Sequence, residues 1–353
     1  MTSKAIDKTP PSLPNLPGTF VLELTRGCNN RCLHCYNAWR APELQYPESD
    51  QEEMSTEEIK QAIITLPKQL SISTVILSGG EPTLRSDLPE IIDFLGSQGL
   101  AAQIITNGTN LTESFVQSTV HNSSYQVSLL SWRPEVHDRL TGNAGAWDAV
   151  IDGMTNIHLA GGHLIVVFVA TRQNYTDLGP TVHLATMVGA NSFLYNRINA
   201  GAANIPHSEE LFLTPAMVED NLAVLNQIAS DTGFPISTGV VIEPCMVDVS
   251  KYPHIKFNWC ALAGQDSTLI VDPSGNFRIC EHSSKILGNI KKDTVRDIYE
   301  NHPHVEAFRS TWPMECKDCD HPLKDLCRGG CKAAAEQAYD TLSRVDPFVR
   351  LRK

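Results

Sequence analysis

Short apolar runs alternate with longer amphipathic segments through the first part of the chain. Runs of strand length lie at about 20–25, 74–78, 103–106, 126–131, 163–170 and 192–198. Between them, apolar residues recur at helical spacing, and a capping pair, Ser55 and Glu58, marks the start of the first helix. About six strands, each followed by a helix-like segment, indicate parallel β/α units. We therefore predict an α/β fold built on a partial (β/α)6 TIM-like barrel.

The character of the chain changes near residue 240, where cysteines become frequent. Apolar residues at 269–271 and 277–280 flank Pro273-Ser274-Gly275-Asn276, a sequence typical of a turn between two strands of a β-hairpin. We therefore expect three parts: an irregular, proline-rich lead-in at 1–18, the barrel at 19–240, and a small cysteine-rich domain with a basic tail at 241–353.

Three of the ten cysteines, Cys28, Cys32 and Cys35, form a C-x3-C-x2-C run directly after the first apolar run. Three thiolates on a loop at the end of a strand suit three irons of a four-iron cluster and leave the fourth iron to a small molecule. Two alternatives stay open at this point. The loop could bind zinc with His34 as a fourth ligand, or its thiols could be buried without a metal.

A second motif, Ser78-Gly79-Gly80-Glu81-Pro82, closes the apolar run at 74–78. Two glycines let a backbone approach a ligand closely, and a neighbouring carboxylate can accept hydrogen bonds from an amine. Taken alone, the motif is more simply interpreted as a turn.

The two motifs together, in this order and at this spacing, resemble those of the radical S-adenosylmethionine (SAM) enzymes. The resemblance implies that Cys28, Cys32 and Cys35 ligate a [4Fe-4S] cluster whose free iron is chelated by SAM. It also implies that Gly79, Gly80 and Glu81 hold the methionyl end of SAM, and that His34 takes the position of a ring near the adenine.

The remaining seven cysteines follow residue 244. Four have the short spacings of a metal site, for which a zinc knuckle is the simplest form: Cys316, Cys319, Cys327 and Cys331. The segment resembles the SPASM extension, which holds auxiliary four-iron clusters, and Cys260, Gly275 and Cys280 match its first part. The chain departs from that pattern in two ways, because seven residues rather than five precede Cys327 and no cysteine follows Cys331.

The interleaved pattern of that extension implies two auxiliary clusters. Cys260, Cys280 and Cys331 would hold one, with Cys245 as a fourth ligand. Cys316, Cys319 and Cys327 would hold the second, whose remaining ligand would be His321, a partner residue or solvent. Zinc at this second site stays an alternative.

Several polar residues are predicted at the ends of strands, where ligands gather in parallel barrels. They are Asn107, Ser128, Thr171, Asn174 and Arg197. The resemblance implies that such residues contact the ribose and carboxylate of SAM, and we predict Asn107, Ser128 and Arg197 as cofactor-binding residues. A solvated strand end is the alternative. His137 and Asp138 also resemble a family segment, but a helix start explains them equally well.

Glu281 directly follows Cys280, a place where many SPASM enzymes have an acidic residue facing the active site. The resemblance implies a catalytic general base, which must lie next to the proton it removes. The alternative is a residue that tunes the adjacent cluster through hydrogen bonds. His282 is a weaker candidate for the same role.

Composition bounds the class of protein. The chain has 353 residues, 42% of them hydrophobic and 19% charged, so it can bury a large core. Its formal net charge of −12 argues against a general nucleic-acid binder. No apolar run is long enough to span a bilayer and the N-terminus does not resemble a signal peptide, so we expect a cytoplasmic protein without a membrane partner.

The resemblance also implies a reaction. Reductive cleavage of SAM gives methionine and a 5′-deoxyadenosyl radical, which removes a hydrogen atom from the substrate. Because SPASM-containing members mostly modify ribosomally made peptides (RiPPs), we expect a peptide maturase that forms a cross-link, epimerises, oxidises or excises backbone. A sulfatase-maturase-like oxidase, a small-molecule enzyme and a non-catalytic metal scaffold are the alternatives.

Three partners follow from this expectation. One is the precursor peptide, and another is an external electron donor such as flavodoxin or ferredoxin. The third is a separate leader-recognition protein, expected because only about 18 residues precede the first strand.

Overall fold

The computed structural model describes residues 19–37, 52–69, 72–201, 203–260 and 268–352. The lead-in predicted at 1–18 lies outside these residues. The strands within them are β1 (Thr19–Glu23), β2 (Thr74–Ser78), β3 (Ala101–Thr106), β4 (Ser123–Ser128), β5 (His163–Ala170), β6 (Ser192–Arg197), β7 (Ile236–Thr238), β8 (Thr268–Val271), β9 (Asn276–Arg278) and β10 (Gly288–Asn289).

The helices of the described residues cover the sheet and form the C-terminal segment. They are α1 (Thr56–Gln69), α2 (Leu88–Ser97), α3 (Glu113–Thr119), α4 (Pro134–Thr141), α5 (Ala146–Leu159), α6 (Leu178–Met187), α7 (Ser208–Leu211), α8 (Pro215–Thr232), α9 (Val295–Asn301), α10 (Pro303–Ser310), α11 (Lys324–Cys327) and α12 (Lys332–Tyr339). None of the described helices is both long and apolar enough to cross a lipid bilayer.

Strands β1 to β7 are neighbours in chain order and all pair in parallel. Helices connect them, because a parallel pair needs a crossover that carries the chain back to the start of the next strand. The carboxyl ends of the seven strands therefore lie along one edge of the sheet. This arrangement confirms the α/β class and the β/α pattern predicted from the sequence.

The same sheet continues into the C-terminal part of the chain. Strand β8 pairs in parallel with β1, so that Leu269 lies opposite Phe20 and Val271 opposite Leu22. Strands β9 and β10 then add in antiparallel orientation, with a turn between β8 and β9 at the predicted place. The predicted hairpin therefore extends the edge of the barrel sheet.

Local signals in the sequence locate most elements closely. Strand β5 has the predicted bounds, and the capping pair is formed, with Ser55 N donating to Glu58 Oε2 at 2.9 Å. Strand β4 begins three residues earlier than predicted, because polar Ser123 and Ser124 belong to it. Strand β7 was not predicted, since three residues are too few for a period to be recognised.

Candidate active site and metal centres

The first cysteine group lies at the carboxyl edge of the sheet. Cys28, Cys32 and Cys35 line a cavity of about 350 Å³ together with residues at the ends of β2, β3, β4 and β6. Both sequence motifs open into this cavity, since Gly79 and Gly80 belong to the same wall. This placement agrees with the prediction that the two motifs lie at the same end of the barrel.

The cysteine loop is fastened to helix α4 and to the strand ends. Arg31 N donates to Thr141 O at 2.7 Å, and Leu33 N donates to Leu140 O at 3.1 Å. The Cys28 sulfur accepts from Asn30 N at 3.4 Å. Backbone donors to a thiolate are the contacts that tune iron–sulfur ligands, so this loop is already shaped for that role.

The two glycines of the second motif pack against the backbone of the cysteine loop. Gly80 N donates to Thr25 O at 2.7 Å, and a Cβ on Gly80 would lie 2.2 Å from Gly27 O. Gly79 has a φ of +133°, and its Cβ would lie 2.5 Å from Thr25 O. The structure thus gives these glycines a role that the sequence analysis did not foresee, which is close contact between two loops.

Glu81 is fully buried and its oxygens are occupied by protein donors. Oε1 accepts from Thr83 N at 3.1 Å, Thr83 Oγ1 at 2.6 Å and Thr106 Oγ1 at 2.7 Å. Oε2 accepts from Asn107 N at 2.7 Å. The carboxylate therefore holds the ends of β2 and β3 together, and a contact between Glu81 and the amino group of SAM stays a prediction.

Three other predicted cofactor contacts lie on the cavity wall. They are His34, Asn107 and Ser128. Burial is the main cause that lowers the pKa of His34 to about 4, and its Nδ1 is buried with no hydrogen-bond partner in the structure. Asn107 Nδ2 donates to Asn29 Oδ1 at 2.7 Å.

Two further strand-end candidates, Thr171 and Asn174, serve the fold instead. Asn174 Oδ1 accepts from Thr171 N at 2.6 Å, and Asn174 Nδ2 donates to Leu130 O at 2.8 Å. Both residues are buried away from the cavity wall described above. Their polar groups close the loop after β5, and ligand contact by these two candidates stays untested.

His137 and Asp138 likewise have structural roles. His137 Nδ1 accepts from Leu130 N at 3.2 Å. The Asp138 carboxylate accepts from Gly145 N at 2.6 Å and from Trp147 N at 2.9 Å, which caps the start of α5. The helix-start interpretation of this segment fits these contacts.

Arg197 lines the cavity, but its guanidinium is bonded to the protein. Nη2 lies 2.9 Å from Glu243 Oε1 and 2.7 Å from Asp346 Oδ2, and all three side chains are buried. Nε donates to Val241 O at 2.9 Å. Arg197 therefore belongs to a buried ion-pair network, and a contact between this residue and SAM stays a prediction.

A second cysteine group, called here the proximal group, consists of Cys260, Cys280 and Cys331. It lines a cavity of about 270 Å³ that shares wall residues with the first cavity, among them Asn199 and Glu281. Donors already point at its sulfurs. Asn199 Nδ2 donates to Cys331 Sγ at 3.1 Å and His282 N donates to Cys280 Sγ at 3.3 Å.

A third group, called here the distal group, lines a narrow pocket with about 30 Å³ of space, and His321 lies in the same wall. Its cysteines are Cys245, Cys316, Cys319 and Cys327. This differs from the expectation for Cys245, which was to join Cys260, Cys280 and Cys331. A turn at residues 244–246 carries Cys245 and brings it into the wall of this pocket.

The buried thiols of the proximal and distal groups are suited to bind a cationic metal centre. Burial raises the pKa of Cys316 to about 11 and the pKa of Cys327 and Cys331 to about 12. Neighbouring thiols add to each of these increases, because two thiolates repel each other. Buried thiols of this kind become thiolates when a metal centre balances their charge.

Among the residues that the structure describes, no three His, Cys, Asp or Glu side chains form a ready site for a single metal ion.

Two residues that the sequence analysis did not single out also line the site. Tyr36, directly after Cys35, stacks on His282 with ring centroids 4.5 Å apart. Asn199 reaches the proximal group from the segment after β6. The position of Tyr36 next to a cysteine ligand was a usable signal, whereas nothing near Asn199 in the sequence points to Cys331.

Glu281 and His282 stand between the first cavity and the proximal group, since both line both cavities. Burial is the main cause that raises the pKa of Glu281, and the Arg278 guanidinium opposes it. Burial lowers the pKa of His282 to about 4. A carboxylate at this wall is close to both the proposed SAM site and an auxiliary group.

Two of the three cysteine groups line adjoining cavities at the carboxyl edge of a parallel β/α sheet, which is typical of an α/β protein that binds iron–sulfur clusters. The chain belongs to the radical SAM superfamily, whose profile matches residues 22–185, and the profile of the iron–sulfur cluster-binding SPASM domain matches residues 260–331. It is therefore a radical SAM enzyme that uses SAM, a [4Fe-4S] cluster and auxiliary iron–sulfur clusters. The family resemblance stated from the two motifs is confirmed.

Proteins of known function resemble the chain over nearly its whole length. Fe-coproporphyrin III synthase from Methanosarcina barkeri is 30% identical over 357 residues, which cover 94% of this chain and 88% of that protein. PqqA peptide cyclase from Methylocella silvestris is 27% identical over 344 residues, covering 95% of this chain and 88% of that protein.

A solved structure shows the same fold. Streptococcus suis SuiB bound to S-adenosylmethionine superposes with a TM-score of 0.73 at 16% identity, over 95% of this chain and 77% of SuiB. SuiB bound to its precursor peptide SuiA gives a TM-score of 0.67 at 17% identity, over 95% of this chain and 76% of that one.

Proposed function

We propose that this enzyme modifies a ribosomally made precursor peptide by radical chemistry. The single observation that carries the proposal is the charge of the cavity walls. Among the described residues that line the two adjoining cavities, Arg197 is the only Lys or Arg, and its guanidinium is bonded to two carboxylates. These walls therefore suit a largely neutral substrate.

The histidines of the same walls support this argument. Burial lowers the pKa of His34 and of His282 to about 4, so both rings are neutral near pH 7. Side-chain amides and hydroxyls supply the remaining polarity, for example Gln126, Ser128 and Asn196. Such groups exchange hydrogen bonds with peptide carbonyl and N–H groups without requiring a charge on the substrate.

The relatives leave two substrate classes to compare. PqqA peptide cyclase is named for a peptide and Fe-coproporphyrin III synthase for a tetrapyrrole. The 30% identity to the latter makes a tetrapyrrole the second candidate. A tetrapyrrole that carries carboxylate side chains calls for Arg or Lys donors, which bind carboxylates strongly. Among the described residues of the two cavity walls, Arg197 is the only such donor, and its guanidinium is already bonded to two carboxylates. This lack of a donor favours a peptide over a tetrapyrrole as the substrate.

The residues of the chain have distinct roles in the proposed reaction. Cys28, Cys32 and Cys35 would hold the first cluster and Gly79 would line the SAM site. When bound, the cluster and SAM together supply a radical able to remove hydrogen from an unactivated C–H bond. The protein excludes water and sets which substrate hydrogen lies in reach.

In this proposal, Glu281 would take up the proton that a substrate releases after it loses an electron. Glu281 lines both cavities, and its raised pKa makes it a stronger base than an exposed glutamate. The proximal group, whose Cys280 directly precedes Glu281, would hold an auxiliary cluster able to accept an electron. The cysteine roles and the role of Glu281 are part of the proposal.

The proposal is tested by anaerobic co-expression with small peptides encoded beside the gene, followed by mass spectrometry of each peptide. The expected result is a mass change in one peptide that disappears when Cys32 is replaced by Ala. Parallel assays with coproporphyrin-type tetrapyrroles test the second candidate. Turnover of a tetrapyrrole with no change in any peptide would refute the peptide proposal.

Two protein partners complete the proposal. An external one-electron donor of the flavodoxin or ferredoxin type would reduce the first cluster, and a separate small protein would recognise the leader of the precursor. Pull-down with the tagged full-length chain tests the second partner. Full activity of the chain alone on a leader-bearing peptide would contradict it.

A further inference from the structure

We propose that Cys245 is the fourth thiolate of the distal group and that the proximal group holds its cluster with only three cysteines. The ten cysteines of the chain then divide into sets of three, four and three. The proximal cluster would keep one position for a ligand other than cysteine, at the wall shared with the substrate cavity. The inference rests on iron–sulfur binding and not on the identity of the substrate.

The first observation is the placement of Cys245. It lines one pocket with Cys316, Cys319 and Cys327, whereas Cys260, Cys280 and Cys331 line another.

The second observation is how firmly the turn that bears Cys245 is held. Met246 N donates to Glu243 O at 2.8 Å, which closes the turn. The Glu243 side chain is tied to Arg197 at 2.9 Å and packs so closely on Gly330 that a Cβ there would lie 2.0 Å from Oε1. Gly330 follows Cys327 by three residues, so this packing fixes the Cys245 turn beside the Cys327 loop.

The third observation is the number of thiolates at the distal group, where Cys245, Cys316, Cys319 and Cys327 together supply four. A distal group limited to Cys316, Cys319 and Cys327 would lack a thiolate, and Cys245 is the cysteine that the fold brings to it. His321 is the competing ligand, because it lines the same pocket. Its Nδ1 already accepts from Leu323 N at 3.1 Å, which leaves only Nε2 for a metal.

If Cys245 belongs to the distal group, one ligand position at the proximal group is left without a cysteine. Its cavity of about 270 Å³ also borders Asn199 and Glu281, which face the SAM cavity as well. Asn199 Oδ1 is buried without a hydrogen-bond partner in the structure. A neutral donor such as a water molecule or a substrate thiol could therefore reach the position that no cysteine fills.

The test uses the full-length chain with Cys28, Cys32 and Cys35 all replaced by Ala, which leaves only the auxiliary groups to bind iron. Cys245→Ser, Cys316→Ser, Cys280→Ser and His321→Gln are then compared in this background. After anaerobic reconstitution, iron content and electron paramagnetic resonance (EPR) spectra of the reduced proteins are measured. Circular dichroism and a second variant, Cys245→Asp, separate a loss of ligation from a failure to fold.

We expect Cys245→Ser and Cys316→Ser to alter the same EPR signal and to lower auxiliary iron by up to about half, as for one of two four-iron clusters. Cys280→Ser should alter the other signal, and His321→Gln should alter neither. The proposal is overturned if Cys245→Ser changes the signal that Cys280→Ser changes, or if it changes none. Zinc in place of iron at the distal group would also overturn it.

The vacant position is tested with ¹³C-labelled cyanide in the same background. We expect a ¹³C coupling on the signal that Cys280→Ser alters, since only that cluster would have an exchangeable position. Coupling on the other signal, or on neither, would overturn this part of the proposal.

Discussion

Arg197 and Asp346 lie 149 positions apart in the chain, yet the arginine Nη2 and the aspartate Oδ2 are 2.7 Å apart in the buried interior. The same carboxylate oxygen accepts from Cys331 N at 3.0 Å. One ion pair thus joins the end of β6, the C-terminal segment and a residue of the proximal cysteine group. The position of that group relative to the barrel depends on it.

Asp346→Asn should destabilise the protein by about 3–5 kcal/mol, because it leaves the buried Arg197 charge incompletely balanced. The measurement is the free energy of unfolding in urea under anaerobic conditions. The matched control is Arg296→Gln, which breaks the exposed pair between Arg296 and Glu300 and should cost less than about 0.5 kcal/mol. Equal effects of the two substitutions would contradict the structural role of the buried pair.

Gly80→Ala should prevent assembly of the first cluster. The added Cβ would lie 2.2 Å from Gly27 O, and a backbone atom cannot move aside as a side-chain tip can. We expect a cost of about 3 kcal/mol or more, together with loss of the iron bound by Cys28, Cys32 and Cys35.

Gly99→Ala is the control for that substitution. Gly99 has a φ of +74° with nothing within 4 Å of an added Cβ, so only the left-handed conformation is penalised, by about 1–2 kcal/mol. Iron content should be unchanged in this variant. Iron loss in both variants, or in neither, would show that close packing at Gly80 does not shape the cluster loop.

The sequence predicts much of this molecule because the relevant signals are local. The C-x3-C-x2-C run, the capping pair of Ser55 and Glu58 and the apolar run of β5 each lie within a few residues, so short-range pattern is sufficient. Chain order alone also predicts the parallel connections, since each helix returns the chain to the same edge of the sheet.

What the sequence could not predict depends on contacts between distant segments. The bond between Arg197 and Asp346 and the grouping of Cys245 with Cys316 appear only when the chain is folded. The interleaved cysteine pattern suggested a different partner set for Cys245, because spacing does not reveal the direction in which a turn points. For the same reason, the contact of Gly80 with the cysteine loop was not foreseen.

His137 should make stability depend on pH. Burial lowers its pKa from 6.5 to about 4, although neighbouring Asp138 opposes this, and Nδ1 must stay unprotonated to accept from Leu130 N. The unfolded chain binds a proton near pH 6.5 while the folded chain does not. This contribution to stability is therefore complete above pH 6.5 and is lost as the pH falls toward 4.

Between pH 7.5 and 5.5 this residue should account for a loss of about 1.4 kcal/mol in the free energy of unfolding. His137→Gln, whose amide oxygen can accept the same hydrogen bond, should reduce the pH dependence by that amount. An unchanged pH dependence in His137→Gln would show that His137 is protonated in the folded protein as readily as in the unfolded chain.

Glu281 lines both cavities, and its carboxylate could accept a proton or tune the proximal cluster. The Glu281→Gln substitution separates these two roles. If Glu281 accepts a proton from the substrate, the variant should bind normal amounts of iron and still form 5′-deoxyadenosine. The yield of modified peptide should then fall about 10²-fold or more, because an amide cannot act as the base. The measured quantity is the ratio of modified peptide to 5′-deoxyadenosine, with Glu300→Gln as an exposed control. If Glu281 only tunes the proximal cluster, the variant should shift that cluster's reduction potential and leave the ratio unchanged, since the base would lie elsewhere.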